Sequence, residues 1–235
     1  MTALGHDEIW KRLRHPAERD RLVVTPLLEP DIQLAKNQAG IDVRLGRVFA
    51  LERPWAHGVR EMIYPGAAPT PALNSFVLAF GQPLIIHPHQ FVLARTLELV
   101  RLPPDLLAYV IGRSSWGRRG LIVATAVVVH PGFAGPITLE LRNLGEMPIA
   151  LYPMDRVAQL VFHNVEGCEV SRGSQFSGTF EPSLGEVRKE PESRRLAKMA
   201  EEAGWQVPQG VSEAVPGSLS PEAPAPVLPP AKEKS

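Results

Sequence analysis

A group of residues near the middle of the chain combines side chains that bind phosphate with one that can move a proton. Arg113, Ser114, Ser115 and Arg118 lie close together, and Glu140 follows on a segment in which apolar and polar residues alternate. Arginine can engage two phosphate oxygens at once, and serine hydroxyls are additional donors. A carboxylate on a strand whose other face is apolar is a candidate general acid and base. The group therefore predicts a polyphosphate site in which Glu140 transfers a proton.

Three segments of the chain contain motifs that are specific when they occur together. They are Ile41–Gly46, which reads Ile-Asp-Val-Arg-Leu-Gly; Gly112–Glu140, with a Gly-Arg-Ser-Ser run, a Thr-Ala pair, a Pro-Gly-Phe turn and a Leu-Glu strand; and Pro148–Leu160, which ends in Arg-Val-Ala-Gln-Leu. Their order and spacing resemble the deoxycytidine triphosphate (dCTP) deaminase family, a branch of the trimeric deoxyuridine triphosphatase (dUTPase) superfamily. The resemblance covers residues 20–182. A lone Arg-Ser-Ser run would be weak evidence, whereas three ordered motifs form a specific signal.

The resemblance implies that the protein converts dCTP into dUTP and ammonia by hydrolytic deamination. In this interpretation Glu140 is the general acid and base, Ser114 helps to hold the attacking water, and Arg118 contacts that water or the nucleotide. In the family, backbone groups at the positions of Thr125 and Ala126 read the cytosine edge. The full set of residues for which we predict nucleotide contacts, besides the three catalytic ones, is Arg113, Ser115, Thr125, Ala126, His130, Phe133, Gln159, Phe176 and Thr179.

A structural role competes with the functional role at these positions. A glutamate in a β-strand most often faces solvent, and the arginines of the turn can simply be solvated, as we expect for Arg119. His130 can be a partly buried turn residue instead of a catalytic one. The motif around Glu140 favours the catalytic interpretation, and we expect at least two of the Arg and Ser side chains of the turn to contact nucleotide.

The cysteine content argues against a zinc mechanism. Zinc deaminases hold their metal with a Pro-Cys-x-x-Cys pair and a His-x-Glu motif, whereas Cys168 is the only cysteine of this chain. The resembled family uses no catalytic metal. We therefore expect no zinc, and Mg²⁺ bound through the phosphates of the substrate rather than by a protein cage. The resemblance also implies a homotrimer with its sites between subunits.

Departures from the family pattern leave other functions open. The family has an aspartate at the position of His130, and in dUTPases this aspartate orients the water that attacks phosphate. Val127 and Val128 replace polar residues, and in the C-terminal segment Gln175 and Thr179 replace a phosphate-binding lysine and a glutamine. The alternatives to a deaminase are a dUTP diphosphatase, alone or as a second activity, and a nucleotide-binding trimer without catalysis.

The composition is that of a globular protein with balanced charge. The chain has 235 residues, 44% of them hydrophobic, and its 25 basic residues match 25 acidic ones. Balanced charge argues against nucleic acid or a membrane surface as a partner. We identify no signal peptide and no segment suited to span a bilayer, and a single cysteine allows no internal disulfide. We therefore expect a cytoplasmic protein.

Short apolar or alternating segments bounded by Pro or Gly predict an all-β fold. We expect strands at 76–80, 84–86, 91–100, 106–111, 123–129, 137–143, 149–152 and 156–165. This spacing is typical of barrels and jelly rolls, and the resemblance specifies a distorted jelly roll or β-barrel of the dUTPase-like type.

Three local predictions accompany this fold. Alternation over Ile41–Leu45 predicts a half-buried strand, in which Asp42 and Arg44 make a structural ion pair or a subunit contact. Residues 52–75, rich in Pro, Gly and Ala, predict a long surface excursion. Ser114–Arg119 predicts a short helical turn between two strands.

We divide the chain into four parts. Residues 1–20 form an N-terminal helical segment, whose helix from Asp7 to about His15 is too short to be stable unless it docks on the body. Residues 21–182 form the dUTPase-like β domain, and residues 183–205 form a C-terminal helical segment. Residues 206–235 are rich in Pro and poor in aromatic residues, so we expect a disordered tail.

Overall fold

Antiparallel strands make up most of the protein in the computed structural model. The structure describes residues 2–52, 55–56, 59–60, 73–125 and 128–167, together with residues 182, 195, 198–199 and 202–203. The strands are β1 (Val23–Thr25), β2 (Ile41–Glu52), β3 (Trp55–Ala56), β4 (Val59–Arg60), β5 (Leu73–Val77), β6 (Leu84–Ile86), β7 (Phe91–Arg101), β8 (Leu106–Gly112), β9 (Leu121–Val123), β10 (Val128–Val129), β11 (Ala134–Asn143), β12 (Ile149–Leu151) and β13 (Arg156–Asn164). The helices are α1 (His6–Leu13), α2 (Pro30–Gln33) and α3 (Ser114–Gly117), with a 3-10 turn at Glu18–Asp20.

One curled sheet supplies the framework for the site. Its strand order is β10-β8-β13-β2-β7-β11-β9, with β1 also paired to β7 and β5 to β2, and the described strand pairs are antiparallel. β9 and β10 follow each other along the chain but lie at opposite ends of this order. The sheet must therefore curl until its two edges approach each other. The predicted all-β fold is confirmed, as a curled antiparallel half-barrel.

The core is formed by alternate residues of the long strands. On β11, Ile137, Leu139 and Leu141 are buried, whereas Thr138 and Glu140 are half-buried on the opposite face. This pattern confirms the alternation predicted for β11, because successive side chains of a strand point to opposite faces of the sheet.

The N-terminal helix α1 docks on this core. Ile9 is fully buried, and Trp10 and Leu13 pack against the core. Arg12 forms an ion pair with Asp105, next to the start of β8. The predicted helix and its docking are confirmed.

The prediction of a half-buried strand at Ile41–Leu45 is wrong. Asp42 and Arg44 are only 1% and 7% exposed, so both faces of this part of β2 are covered. β2 lies between β13 and β7 in the sheet. Both charged side chains have polar partners, Asp42 with Arg113 and Arg156 and Arg44 with Glu29, which is why the alternation of apolar and charged residues does not mark a solvent face here.

Two strand boundaries also differ from the sequence prediction. The segment predicted as one strand at 123–129 is divided, because β9 pairs with β11 whereas β10 pairs with β8. The predicted excursion at 52–75 contains the start of β5, which pairs with the second half of β2. In both cases the partner strand, rather than local composition, decides where a strand forms.

The chain divides into two compact units, Met1–Glu61 with Pro71–Gly185, and Met62–Thr70 with Glu186–Ser235. In the second unit, residues 195, 198, 199 and 202 are helical, and the Ala203 N–H donates to the Met199 carbonyl at 3.0 Å. The predicted tail, residues 206–235, lies outside the described residues, and the four-part division of the chain stays a prediction. Among the helices of the described part, none has the length and apolar character needed to cross a bilayer.

A buried carboxyl group joins α2 to the middle of the sheet. Glu98 on β7 is fully buried, and it accepts hydrogen bonds from Gln33 Nε2 at 2.9 Å and from the Arg44 N–H at 2.8 Å. Burial raises the pKa of the Glu98 carboxyl above its ordinary value, and the hydrogen bond from Arg44 opposes that rise. Removal from water penalises the ionised form more than these hydrogen bonds compensate it.

We predict that Glu98→Gln changes how stability depends on pH. The native state keeps the Glu98 proton at pH values where the unfolded chain has lost it. The free energy of unfolding of the parent protein should therefore fall, relative to Glu98→Gln, as pH rises from about 4.5 through the raised pKa, by at most about 1.4 kcal/mol per pH unit. Urea denaturation across this range measures the difference.

Glu146→Gln, which alters an exposed glutamate, is the matched control. Its free energy of unfolding, relative to the parent protein, should show no comparable change with pH. A Glu98→Gln difference that stays constant with pH would contradict the assigned effect of burial.

Candidate active site

The serine and arginine residues of the first motif lie on a tight helical turn. The N–H groups of Trp116 and Gly117 donate to the Arg113 carbonyl, both at 3.0 Å, and form α3. The turn ends at Gly120, where φ is +92° and an added Cβ would lie 2.6 Å from the Gly145 nitrogen. Only glycine suits this position, because it combines a left-handed backbone with a close approach. The predicted helical turn at Ser114–Arg119 is confirmed.

The side chains of Ser114, Ser115 and Arg118 are exposed on α3 and the residues after it. They face solvent in the single chain, so this part of the site is open. These three predicted residues lie on one turn, whose backbone is anchored to β13 by a hydrogen bond from the Arg113 N–H to the Val157 carbonyl at 3.2 Å.

Asp42 holds the base of this turn. Its carboxylate lies 3.3 Å from Arg113 Nε and 3.1 Å from Arg156 Nη1, and it accepts a hydrogen bond from Gln159 Nε2 at 3.2 Å. The Asp42 side chain is 1% exposed, whereas those of the two arginines are 27% and 28% exposed. One buried carboxylate therefore fixes two guanidinium groups that keep contact with solvent.

Two residues that the sequence reasoning did not assign to the site also support the turn. The Trp116 Nε1–H donates to the Arg156 carbonyl at 3.0 Å, and Arg156 is one of the two arginines on Asp42. The sequence shows the motif that begins at Arg156, but nothing in that motif indicates that it packs against the serine turn. Asp42 and Arg44 are each in a structural ion pair, but not with each other: Asp42 pairs with Arg113 and Arg156, and Arg44 pairs with Glu29.

A cleft of about 450 Å³ lies beside the turn. Its basic lining residues are Arg44, Arg113, Arg119 and Arg156, and Ser115 and Trp116 also line it. Glu29 and Asp155 are its acidic lining residues. The lining is rich in guanidinium groups, which suits an anionic ligand.

Glu140 lies on β11 next to the point where β9 ends. Its side chain is half-buried, and burial raises the pKa of the carboxyl above its ordinary value. The Glu140 N–H donates to Thr125 Oγ1 at 2.9 Å, and the Glu140 carbonyl accepts from the Ala124 N–H at 2.7 Å. Glu140 shares a face of β11 with Thr138, in agreement with the predicted alternation, and it lies in neither open solvent nor the core.

The two ends of the serine turn lie beside different parts of the β9–β11 ladder. After the turn, Leu121 pairs with Asn143, three residues and therefore roughly 10 Å along β11 from Glu140. Before the turn, Gly112 lies against Val123, which pairs with Leu141, the residue next to Glu140.

The other predicted nucleotide-binding residues have varied surroundings. Thr125 is buried against Glu140, and Gln159 contacts Asp42. Phe133 is partly buried and packs against the core, and His130 is exposed beside the Pro131–Gly132 turn rather than partly buried. Ala126, Phe176 and Thr179 lie outside the described residues, as do Cys168 and Gln175. The roles given to all of these residues stay predictions.

No group of three or more His, Cys, Asp or Glu side chains in the described part of the chain is placed to hold a metal ion. His87 and His89 are exposed on the turn before β7.

Comparison with known proteins identifies the class to which this fold and site belong. A family model described as dCTP deaminase-like matches residues 4–165. The chain therefore belongs to the dCTP deaminase-like family, and the resemblance found in the sequence motifs is confirmed.

Individual relatives support this assignment. A protein of Haloarcula marismortui named dCTP deaminase is 40% identical over 195 residues, which cover 79% of this chain and 94% of the relative. A protein of Methanothermobacter thermautotrophicus named dCTP deaminase, dUMP-forming, is 36% identical over 189 residues, covering 75% and 91%. A solved structure of 2'-deoxycytidine 5'-triphosphate deaminase from Agrobacterium tumefaciens has a TM-score of 0.50 at 21% identity, over 68% of this chain and 47% of that chain, and it supports the fold.

We predict that Asp42→Asn destabilises the protein by about 1–3 kcal/mol, because a neutral amide leaves two guanidinium groups without their charged acceptor. The free energy of unfolding in urea measures the loss. Asp31→Asn, which alters an exposed carboxylate, is the matched control and should change stability by less than about 0.5 kcal/mol. Equal unfolding midpoints for the two variants would show that Asp42 does not hold the turn.

Proposed function

We propose that this protein is a dCTP deaminase, which converts dCTP and water into dUTP and ammonia. One observation carries the proposal: at the motif position of the family's acid, Glu140 is a half-buried carboxyl whose pKa is raised by burial. A carboxyl with a raised pKa is better matched to accepting and returning a proton near neutral pH than a fully solvated one. The relatives named dCTP deaminase support the choice of substrate.

In the proposed reaction, water adds to C4 of the cytosine ring and loses a proton to Glu140. Glu140 delivers this proton to N3 of the ring. It then takes the remaining proton from the new hydroxyl at C4 and passes it to the amino group. The bond between C4 and the amino nitrogen breaks, ammonia leaves, and the oxygen stays on C4 as the carbonyl of uracil. One carboxylate thus serves as base and then as acid.

We propose that Ser114 and Arg118 complete the site from a neighbouring subunit of a homotrimer. Both side chains are exposed, as expected for groups that reach into the site of a neighbouring subunit. In a cyclic trimer the turn of one subunit can face the acid of the next. Ser114 then holds the attacking water and Arg118 contacts that water or the nucleotide.

The triphosphate is proposed to lie against the turn, where Arg113 and Ser115 line the arginine-rich cleft. Arg113 is held by Asp42 and by a hydrogen bond from its Nη1 to the Arg156 carbonyl at 3.4 Å, and its side chain stays partly exposed. Mg²⁺ held by the substrate's phosphates would neutralise part of their charge. The other predicted nucleotide contacts, at Thr125, Ala126, His130, Phe133, Gln159, Phe176 and Thr179, belong to the same proposal.

A second activity, release of pyrophosphate to give dUMP, is favoured by the relatives named dUMP-forming. His130 weighs against it, because imidazole cannot supply the carboxylate geometry that orients water for attack on a phosphate. We therefore propose dUTP as the product. Incubation with dCTP and Mg²⁺, with separation of dUTP, dUMP and pyrophosphate, decides between the two. Binding of dCTP without release of ammonia would instead support a non-catalytic nucleotide-binding trimer.

We predict that Glu140→Gln lowers kcat roughly 10²- to 10⁴-fold, the range typical of a lost general base. In the parent enzyme kcat/KM should fall as pH decreases through the raised pKa of Glu140, since only the ionised carboxylate accepts a proton from water. The fall of kcat/KM on the acid side should therefore be centred above pH 4.5, the ordinary pKa of a glutamate carboxyl. Ammonia release measured across pH gives both quantities.

Glu166→Gln, which changes an exposed glutamate, is the control and should leave the rate and the pH profile unchanged. Turnover by Glu140→Gln at the parent rate would rule out the assigned mechanism.

We predict that two impaired variants restore activity when their subunits are mixed. In a trimer whose sites take Glu140 from one subunit and Ser114 from the next, equal amounts of Glu140→Gln and Ser114→Ala subunits leave roughly one quarter of the sites with both residues intact. Co-refolding the two variants and measuring ammonia release tests this. Activity no higher than the average of the separate variants would place both residues in the same subunit.

A further inference from the structure

The segment that follows β9 forms hydrogen bonds with both the N–H and the carbonyl group of Glu140. The Ala124 N–H donates to the Glu140 carbonyl at 2.7 Å, and the Glu140 N–H donates to the Thr125 hydroxyl oxygen at 2.9 Å. Thr125 is 9% exposed, so its hydrogen bond to Glu140 is partly shielded from water. The residue that carries the proposed acid therefore has both of its backbone groups bonded to two consecutive residues.

The second of these bonds is unusual for an antiparallel ladder. The β9–β11 pairs run from Leu121 opposite Asn143 to Val123 opposite Leu141, so the next pair is Ala124 opposite Glu140. In a regular hydrogen-bonded pair the two residues exchange two backbone bonds. Here the Ala124 N–H makes the expected bond, but the Glu140 N–H donates to the side chain of the next residue. The Thr125 hydroxyl takes the place of a backbone carbonyl.

This replacement occurs where the chain leaves β11. After Thr125 the chain reaches β10, which pairs with β8 at the opposite edge of the sheet. A strand that departs from its ladder normally leaves a backbone N–H of its partner without an acceptor. The hydroxyl supplies that acceptor, so the chain can turn away from β11 while the backbone of Glu140 stays fixed. The branched Thr side chain has few rotamers, which keeps the oxygen in place.

We propose that the Thr125 hydroxyl is a positioning group for Glu140 in the deamination reaction. This inference rests on the proposed function, and it assigns to the Thr125 side chain a role separate from nucleotide contacts by the backbone. The hydroxyl acts through Glu140, because it bonds to the backbone of the acid. It fixes the Cα of Glu140 and thereby the distance from the carboxylate to the water and the ring.

The test compares Thr125→Val, which keeps the shape but removes the acceptor, with Thr125→Ser, which keeps the hydroxyl. Thr125→Val should lower kcat roughly 10- to 100-fold, since a small displacement of a catalytic group has an effect of that size. Its KM should stay within about threefold of the parent value, and Thr125→Ser should retain a kcat within about threefold. A purely structural role would lower the melting temperature of Thr125→Val and leave kcat per folded molecule unchanged.

A double variant tests whether the hydroxyl acts through the acid. If it does, Thr125→Val combined with Glu140→Gln should be no slower than Glu140→Gln alone, because the group being positioned is already lost. Full additivity of the two effects in kcat would overturn the proposal. If Thr125→Val does not fold, Thr125→Ala compared with Thr125→Ser provides the same contrast.

Amide hydrogen exchange at Glu140 provides a readout that does not depend on turnover. Exchange of the Glu140 amide should accelerate at least about tenfold in Thr125→Val and by less than about threefold in Thr125→Ser. Unchanged protection in Thr125→Val would overturn the proposal even in an active enzyme. A parent protein that releases no ammonia from dCTP would instead refute the proposed function, while the exchange data would still decide whether the hydroxyl holds Glu140.

Discussion

The arrangement of this site depends on one buried carboxylate. Asp42 on β2 receives Arg113 from the serine turn, and Arg156 and Gln159 from β13. A charge removed from water is costly unless it is paired and hydrogen-bonded. The three motifs must therefore come together in one register for Asp42 to be satisfied, and the same register places the turn where its serines and Arg118 are exposed.

The curl of the sheet provides the second constraint. Its two edge strands, β9 and β10, are joined by a few residues, so this short connection has to cross the gap between the edges. Glu140 lies beside the start of that crossing, between β7 on one edge and Ala124 and Thr125 on the other, and its side chain is half-buried. Partial cover is what raises the pKa of its carboxyl while the group stays accessible. The place where the chain crosses between the sheet edges is therefore also where the half-buried acid lies.

Buried acids have different consequences in different parts of the molecule. Glu98 is fully enclosed and hydrogen-bonded to Gln33 and the Arg44 N–H, so its effect is on stability and on the packing of α2. Asp42 is equally buried but paired with cations, and its effect is to hold the turn. Glu140 is only half-buried, and a carboxyl in that environment is suited to proton transfer.

The amino-acid sequence by itself determined the family, the all-β class, the alternation that puts Glu140 opposite a buried face, and the helical turn at Ser114. These features depend on local periodicity and on motifs, which can be read along the chain. Tertiary structure alone decided that Asp42 is enclosed and shared by two arginines, that Trp116 bonds to Arg156, and that the segment after Val123 leaves β11 for β8. Each of these depends on which distant segments become neighbours when the sheet curls, and local sequence carries no information about that pairing.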